Sequence, residues 1–272
     1  MQPQASDPIG IFDSGVGGLS VLRALWAELP DETFIYLADQ GRVPYGPRSL
    51  EQVRSFSVEI TNFLLEQGAR LIVVACNAAS AAALHHLRRT FPDTPFVGME
   101  PAVKPAAEQT HSGVVGVLAT PATFQGALYA SVVERFANGV ELLQHTCPGL
   151  VAQIEAGHLD TPQTRAILEE ALQPMLGRGI DTVVLGCTHY PFVIPLIQQI
   201  AGPQVRVIDP APAVARQARR VLESQGRLHP LQSPPRPPWQ ATHFFTSGEG
   251  QHMQALLAQL LGVQAAVQVL RF

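Results

Sequence analysis

The chain has 272 residues, 46% hydrophobic and 15% charged, which suits one large or two modest packed domains and excludes wholesale disorder. Its 18 basic and 22 acidic residues leave a net charge of −4 with no basic block, a poor footprint for a dedicated nucleic-acid-binding protein. No apolar run has the length of a membrane span, the polar start MQPQASDPIG lacks the regions of a secretory signal, and three widely spaced cysteines, Cys76, Cys147 and Cys187, make no disulfide framework, so a reducing cytoplasm is the expected compartment.

PIGIFD (8–13) predicts a first strand, followed by the turn SGVGG and an amphipathic helix over LSVLRALWAEL. FIYLAD (34–39) predicts a second strand ending in an aspartate, and a helix pattern covers 49–67. LIVVAC (71–76) is continuously apolar, as a buried parallel strand is. NAASAAALHHLRR continues it as a helix, and PFVGM (95–99) is a further short strand. The pattern then restarts. Strands are predicted at GVVGVLAT (113–120), 140–147, DTVVLGC (181–187) and VRVID (205–209), with helices near 122–136 and 163–176. This alternation predicts parallel sheets flanked by helices. Residues 228–239 are proline-rich and read as a loop or linker. Beyond them, THFFTSGEG predicts a strand and turn and QHMQALLAQLLG a helix, a tail expected to complete the first sheet.

The two halves resemble each other. Setting IGIFDS (9–14) on VGVLAT (115–120) gives an offset of 106 residues, and setting Cys76 on Cys187 gives 111. Apolar strands imitate such a match in many α/β chains, but two similar offsets point to two related units. Ligands of open parallel sheets bind outside the carboxyl ends of the strands. Two such ends facing each other would bring both cysteines to one cleft.

Several residue groups carry chemistry. DSGVGG (13–18) joins a strand to a helix, where backbone N–H groups favour an anion. It lacks the spacing of a nucleotide fingerprint and reads equally as an ordinary tight turn. Asp13 ends a buried strand and needs a partner or a ligand. Cys76 stands at a strand–helix junction, where the helix N-terminus lowers a thiol's pKa, and Asn77 is placed to donate to a carboxylate. A buried structural cysteine fits the same position. Cys187 repeats the setting beside Thr188 and His189. Cys187 and His189 also read as half of a zinc site, for which no second close pair exists, or His189 as a core histidine. Lys104 is the only lysine, so a Schiff base would depend on a residue in a weak setting. Two mirrored thiols suit inversion at a carbon, one removing a proton while the other returns one from the opposite face.

Taken together, DSGVGG (13–18), VPYGPR (43–48), ACNAAS (75–80), CP (147–148) with Glu155 following, and LGCTHYP (185–191) resemble the bacterial glutamate racemases of the cofactor-independent aspartate/glutamate racemase superfamily, over almost the full length. The resemblance implies two α/β domains related by pseudo-two-fold symmetry, residues 1–98 plus 212–272 and residues 99–211, with the active site between them. It implies that Cys76 takes the α-proton of D-glutamate and Cys187 that of L-glutamate. Asp13 would assist Cys76, His189 would assist Cys187, and Glu155 would orient His189. Ser14, Tyr45, Gly46, Asn77, Ala78 and Thr188 would hold the substrate with Asp13 and His189, and Thr123 would touch its carboxylate region. No cofactor or metal is implied, nor contact with nucleic acid or membrane. The family's members are cytoplasmic, commonly homodimeric, and supply D-glutamate for peptidoglycan and so for cell-wall biogenesis and cell shape.

One position departs from the pattern. Ala78 stands where the family usually has a threonine whose hydroxyl contacts the substrate. Losing a hydrogen bond to a charged group costs about 1.5–3 kcal/mol. Ser80 or a water is expected to compensate; otherwise binding is weaker or the substrate differs. The alternatives kept open are a racemase of aspartate or a related acid, and a binding or regulatory protein without catalysis.

Overall fold

In a computed structural model, residues 7–229 and 236–272 are described. Most of the polar start and residues 230–235 of the proline-rich stretch lie outside the described residues. The first sheet begins with β1 (Ile9–Asp13), α1 (Leu19–Glu28), β2 (Phe34–Ala38), α2 (Leu50–Glu66), β3 (Leu71–Val74), α3 (Asn77–Thr90) and β4 (Phe96–Gly98). After α4 (Val103–Gln109), a second series follows: β5 (Val114–Ala119), α5 (Pro121–Gln125), α6 (Ala127–Phe136), β6 (Glu141–His145), α7 (Leu150–Glu155), α8 (Pro162–Gly177), β7 (Thr182–Gly186), α9 (Ile194–Ala201) and β8 (Arg206–Ile208). The chain ends with α10 (Ala211–Ser224), β9 (Thr242–Thr246), α11 (Gly250–Leu261) and β10 (Val267–Val269).

The strands form two sheets in the orders β10-β9-β2-β1-β3-β4 and β6-β5-β7-β8. Every pairing is parallel. The order β2-β1-β3-β4 is repeated by β6-β5-β7-β8, so β1 corresponds to β5 and β3 to β7. In each sheet the chain reverses its direction of winding beside the strand it starts from, and there the strand ends leave a crevice. Those crevices lie past Asp13 and Val74 in one sheet and past Ala119 and Gly186 in the other.

Local chemistry explains the elements. β1, β2 and β3 are buried along their whole length, which their unbroken apolar sequences permit. α2 starts with a capping box in which Ser49 and Gln52 satisfy each other's backbone N–H groups. α1 buries Leu19, Val21, Leu22 and Leu25 in an apolar core that runs without a break from Ile9 and Tyr36 of the first sheet to Leu185 of the second and Leu196 of α9 beside it. Arg70 and Glu32 form a buried ion pair, and Glu32 also accepts His229 N at 2.9 Å. Among the described residues no helix is long and apolar enough to cross a membrane.

Two expectations are corrected. The strand read as 71–76 stops at Val74, and Cys76 is the N-cap of α3 in extended conformation. The helix read as 122–136 is two helices divided at Gly126. A Cβ on Gly126 would lie 2.7 Å from Ala81 Cβ, so α3 presses on the chain at the break. The elements α4, α7, α9, α10 and β10 were not anticipated. The tail does join the first sheet, β9 lying beside β2 and β10 beside β9.

Candidate active site

Both crevices open into one cavity of about 660 Å³. Cys76 and Cys187 both line it, and each is buried. On the first side, Cys76 Sγ accepts Ala79 N at 3.5 Å and lies 3.8 Å from Ser14 Oγ. Ser14 Oγ is in turn 3.5 Å from Asp13 Oδ1. Asp13 is wholly buried behind the wall, accepting Gly15 N at 2.7 Å and Thr188 Oγ1 at 2.9 Å. Burial pushes its carboxyl up to about 6, against the opposing pull of His189 and these hydrogen bonds. The helix N-terminus expected to lower the Cys76 thiol is present as the Ala79 N–H. Burial and the Asp13 carboxylate outweigh it and hold the thiol well above its ordinary value.

On the second side, Cys187 Sγ lies 3.7 Å from His189 Nδ1, and His189 Nε2 is 2.6 Å from Glu155 Oε1. Burial disfavours a charged imidazole here, but the hydrogen bonds to Cys187 and Glu155 prevail and raise His189 well above its ordinary range. Burial likewise opposes ionisation of Glu155, and its bond to His189 overcomes this and lowers the carboxyl. The result is a buried imidazolium–carboxylate pair beside a thiol. With both ring nitrogens engaged, the zinc reading of this loop has no support. Among the described residues no group of three or more His, Cys, Asp and Glu side chains is placed to hold a metal ion. Lys104 lies on α4, paired with Glu108 at 3.9 Å, and is not part of the cavity wall.

The glycines of 13–18 answer to packing. A Cβ on Gly15 would collide with Glu155 Oε1, one on Gly17 with His189 Nδ1, and one on Gly18 would lie 2.7 Å from Asp13 Cβ. The anion held by this turn is the protein's own: Val16 N donates to Glu155 Oε1 at 2.7 Å. The turn therefore locks the first sheet onto the acid–base groups of the second.

The remaining expected residues divide into wall and support. Ser14, Tyr45, Gly46, Asn77, Ala78 and Thr188 line the cavity. Asn77 is buried, and neither its Oδ1 nor its Nδ2 has a protein partner. An amide left so costs stability unless a ligand or water satisfies it. Tyr45 Oη donates to Asp39 Oδ2, and Asp39 also accepts Arg42 Nε at 2.7 Å and Ser247 Oγ at 2.5 Å. That cluster fixes the loop carrying Tyr45 and Gly46. Thr123 stands behind Thr120, 3.1 Å from its hydroxyl, and Thr120 faces the cavity. Ser80 does not compensate for Ala78. It donates to Val74 O at 3.1 Å, accepts Met99 N at 2.9 Å, and is absent from the wall.

Sequence reasoning missed Thr120, Gln40 and His252. Gln40 Nε2 donates to Glu155 Oε2 at 3.0 Å, and His252 Nε2, at the cavity mouth, lies 2.8 Å from Glu155 O. It also left Cys147 without a role. Cys147 is buried in the wall at a φ of 44°, and burial, with Cys187 nearby, pushes its thiol up to about 12.

A thiol on each side of one cavity, each beside an ionisable group, suits a two-base isomerase. Residues 14–218 match the model of the Asp/Glu/Hydantoin racemase family, and the chain belongs to that family. Within it, the similarity runs to glutamate racemases. The glutamate racemase of Ectopseudomonas mendocina is 52% identical, over 98% of this chain and 99% of that one. A solved glutamate racemase from Bacillus anthracis superposes with a TM-score of 0.86 at 33% identity, covering 99% of both chains. That of Escherichia coli, solved with L-glutamate and an activator, UDP-MurNAc-Ala, gives 0.83 at 32%, covering 97% of this chain and 98% of the other.

Proposed function

We propose that the protein interconverts L- and D-glutamate by proton transfer between Cys76 and Cys187. The observation that carries this reading is the pair of buried thiols on one cavity, each supported from its own sheet. In the L-to-D direction, Cys187 as thiolate, paired with the His189 imidazolium, takes the α-proton. The electron pair left on the α-carbon then takes the proton of the Cys76 thiol from the opposite face. The D-to-L direction reverses the roles. Cys76 loses its proton along Ser14 to Asp13, whose carboxyl, near 6, is closer to thiol range than an ordinary aspartate, so the transfer is less uphill. Glu155 holds His189 charged and oriented.

The α-proton of an amino acid is weakly acidic, so donors must meet the developing negative charge in a site closed to water. The unpartnered Asn77 amide, Ser14 and Thr120 supply such groups, with Tyr45, Gly46, Ala78 and Thr188 shaping the wall and Thr123 steadying Thr120. Among the described residues no lysine or arginine lines the cavity, and both ring nitrogens of the His189 imidazolium are engaged with Cys187 and Glu155, so the substrate's carboxylates rely chiefly on neutral donors. Ala78 favours one further reading, a related acid such as aspartate, which differs in side-chain length.

In this reading residues 1–98 with 212–272 form one unit and 99–211 the other, a division supported by the membership of the two sheets. The protein works in the cytoplasm as a homodimer and supplies D-glutamate for peptidoglycan. The test is incubation of reduced, metal-free protein with L-glutamate in D₂O without pyridoxal phosphate. Loss of the α-proton NMR signal together with decay of the circular dichroism is the expected result. Neither signal changing, with folded protein and free thiols, would refute glutamate as substrate.

A further inference from the structure

Glu155 belongs to α7 of the second series, yet its carboxylate is fixed by the first. Oε1 accepts Val16 N, and Oε2 accepts Gln40 Nε2 at 3.0 Å. Gln40 follows β2. Its own Oε1 accepts Thr246 Oγ1 at 2.9 Å, and Thr246 Oγ1 accepts Gly248 N at 3.0 Å. Glu155, held as a carboxylate, can only accept, so the amide N–H₂ of Gln40 faces it and the Thr246 hydroxyl proton points to Gln40 Oε1. The fit is close, since a Cβ on Gly248 would lie 2.8 Å from Gln40 Cβ. The register Ala38↔Thr246 between β2 and β9 brings these groups together. α11 adds a second hold on the same stretch, His252 at Glu155 O and Gln259 Nε2 donating to Gly157 O at 2.6 Å.

We propose that Gln40, oriented by Thr246, is a positioning residue through which the C-terminal β9 segment keeps the Glu155–His189 pair in its charged form on the Cys187 side. Its catalytic consequence rests on the racemase reading above. The physics is that of a buried carboxylate. Removing the donor on Oε2 leaves that oxygen unpaired and makes the charged form costlier. Glu155 then supports the imidazolium less, and His189 gives up its proton more easily. The other ionisable groups facing the pair are Cys187 on the same loop, Asp13 at the end of β1, Tyr36 of β2 and His252 of α11. Asp13 remains to attract the imidazolium, so the effect is a partial fall.

The experiment is an NMR titration of histidine-labelled protein without substrate, with the His189 signal assigned by its loss in His189→Gln. Gln40→Met keeps side-chain length and removes the N–H₂ group; Thr246→Val removes only the hydroxyl that orients it. The expected result is a His189 pKa lower by about one unit in Gln40→Met, a tenfold loss of proton affinity, and a smaller fall in Thr246→Val. The alkaline limb of kcat/KM for glutamate should move down by the same amount. It should do so equally for both enantiomers, whose free energies are identical. A His189 titration unchanged in folded Gln40→Met overturns the proposal, as does lower kcat/KM with an unmoved limb. Should Gln40→Met not fold, Thr246→Val decides by the same comparison. Absence of wild-type turnover would count against the racemase reading, while the substrate-free titration still decides the role of Gln40.

Discussion

Thr188 Oγ1 donates to Asp13 Oδ2 at 2.9 Å, a bond between residues 175 positions apart in the chain. It ties the loop that carries Cys187 to the carboxylate beside Cys76. His189, next in that loop, also lowers the Asp13 pKa that burial raises. The two proton-handling sides are therefore linked electrostatically, and a change on one is felt on the other.

The pH dependence of Asp13 follows from its carboxyl being raised from 3.8 to about 6. Between those values the folded state binds the proton that the unfolded state has released. Its contribution to stability is therefore complete below the ordinary value and is lost as pH rises through 6. Asp13→Asn should remove that loss. Melting temperature measured from pH 4 to 8 should favour the variant increasingly toward the alkaline end. Racemisation should collapse, and any residual acid limb near 6 should vanish. A difference in Tm that stays flat with pH would contradict this account.

The three cysteines should separate by function. Cys76→Ser and Cys187→Ser should each lower kcat by about 10²–10⁴-fold, the usual worth of a positioned acid or base. Ligand binding, read by calorimetry, should largely survive. Cys147→Ser should keep turnover close to wild type. Loss of activity in that variant alone would assign the chemistry to the wrong pair of thiols.

Gly15→Ala and Gly17→Ala should harm catalysis more than folding. Each added methyl strikes Glu155 or His189, and displacing a catalytic group by about 1 Å costs on the order of 100-fold. Far-ultraviolet circular dichroism should be unchanged while kcat/KM falls. Wild-type kcat/KM in Gly17→Ala would mean that the second loop yields freely.

Ala78→Thr tests the one departure from the family pattern. Ser80 is engaged elsewhere, so a threonine hydroxyl at 78 would add a donor to the wall. A hydrogen bond to a charged group is worth about 1.5–3 kcal/mol, so KM for glutamate should drop roughly tenfold or more. An unchanged or higher KM would mean that another wall group, Thr120 foremost, already fills this role.

Much of the site was legible because it sits at strand ends. Asp13, Cys76 and Cys187 follow apolar runs whose repeat is visible in the chain, and the sheets repeat their order as that spacing suggested. Other features depend on pairings between distant segments. Nothing near Gln40 announces that Thr246 will lie beside it, because the β2–β9 register decides that. Ser80 has the composition of a substrate ligand but turns toward Val74 and Met99. The turn 14–18 has the composition of an anion site, and the anion proved to be Glu155. α10 was missed for a simpler reason. Val214, Ala218 and Leu222, three of its five buried residues, recur at helical spacing, and that signal was available.

The repeated strand order has a geometric corollary. Two units built from L-residues are of one hand, and no rotation makes one the mirror image of the other, whereas the substrate's two forms are mirror images. Swapping the units can exchange the two faces of a single carbon, but it cannot reflect the groups attached to that carbon. In the proposed two-thiol mechanism only the thiols need be interchangeable, and their surroundings must differ. A carboxylate behind a serine on one side and an imidazolium–carboxylate pair on the other meet that requirement. The two halves are thus held alike at the sulfur atoms and free to diverge one residue away.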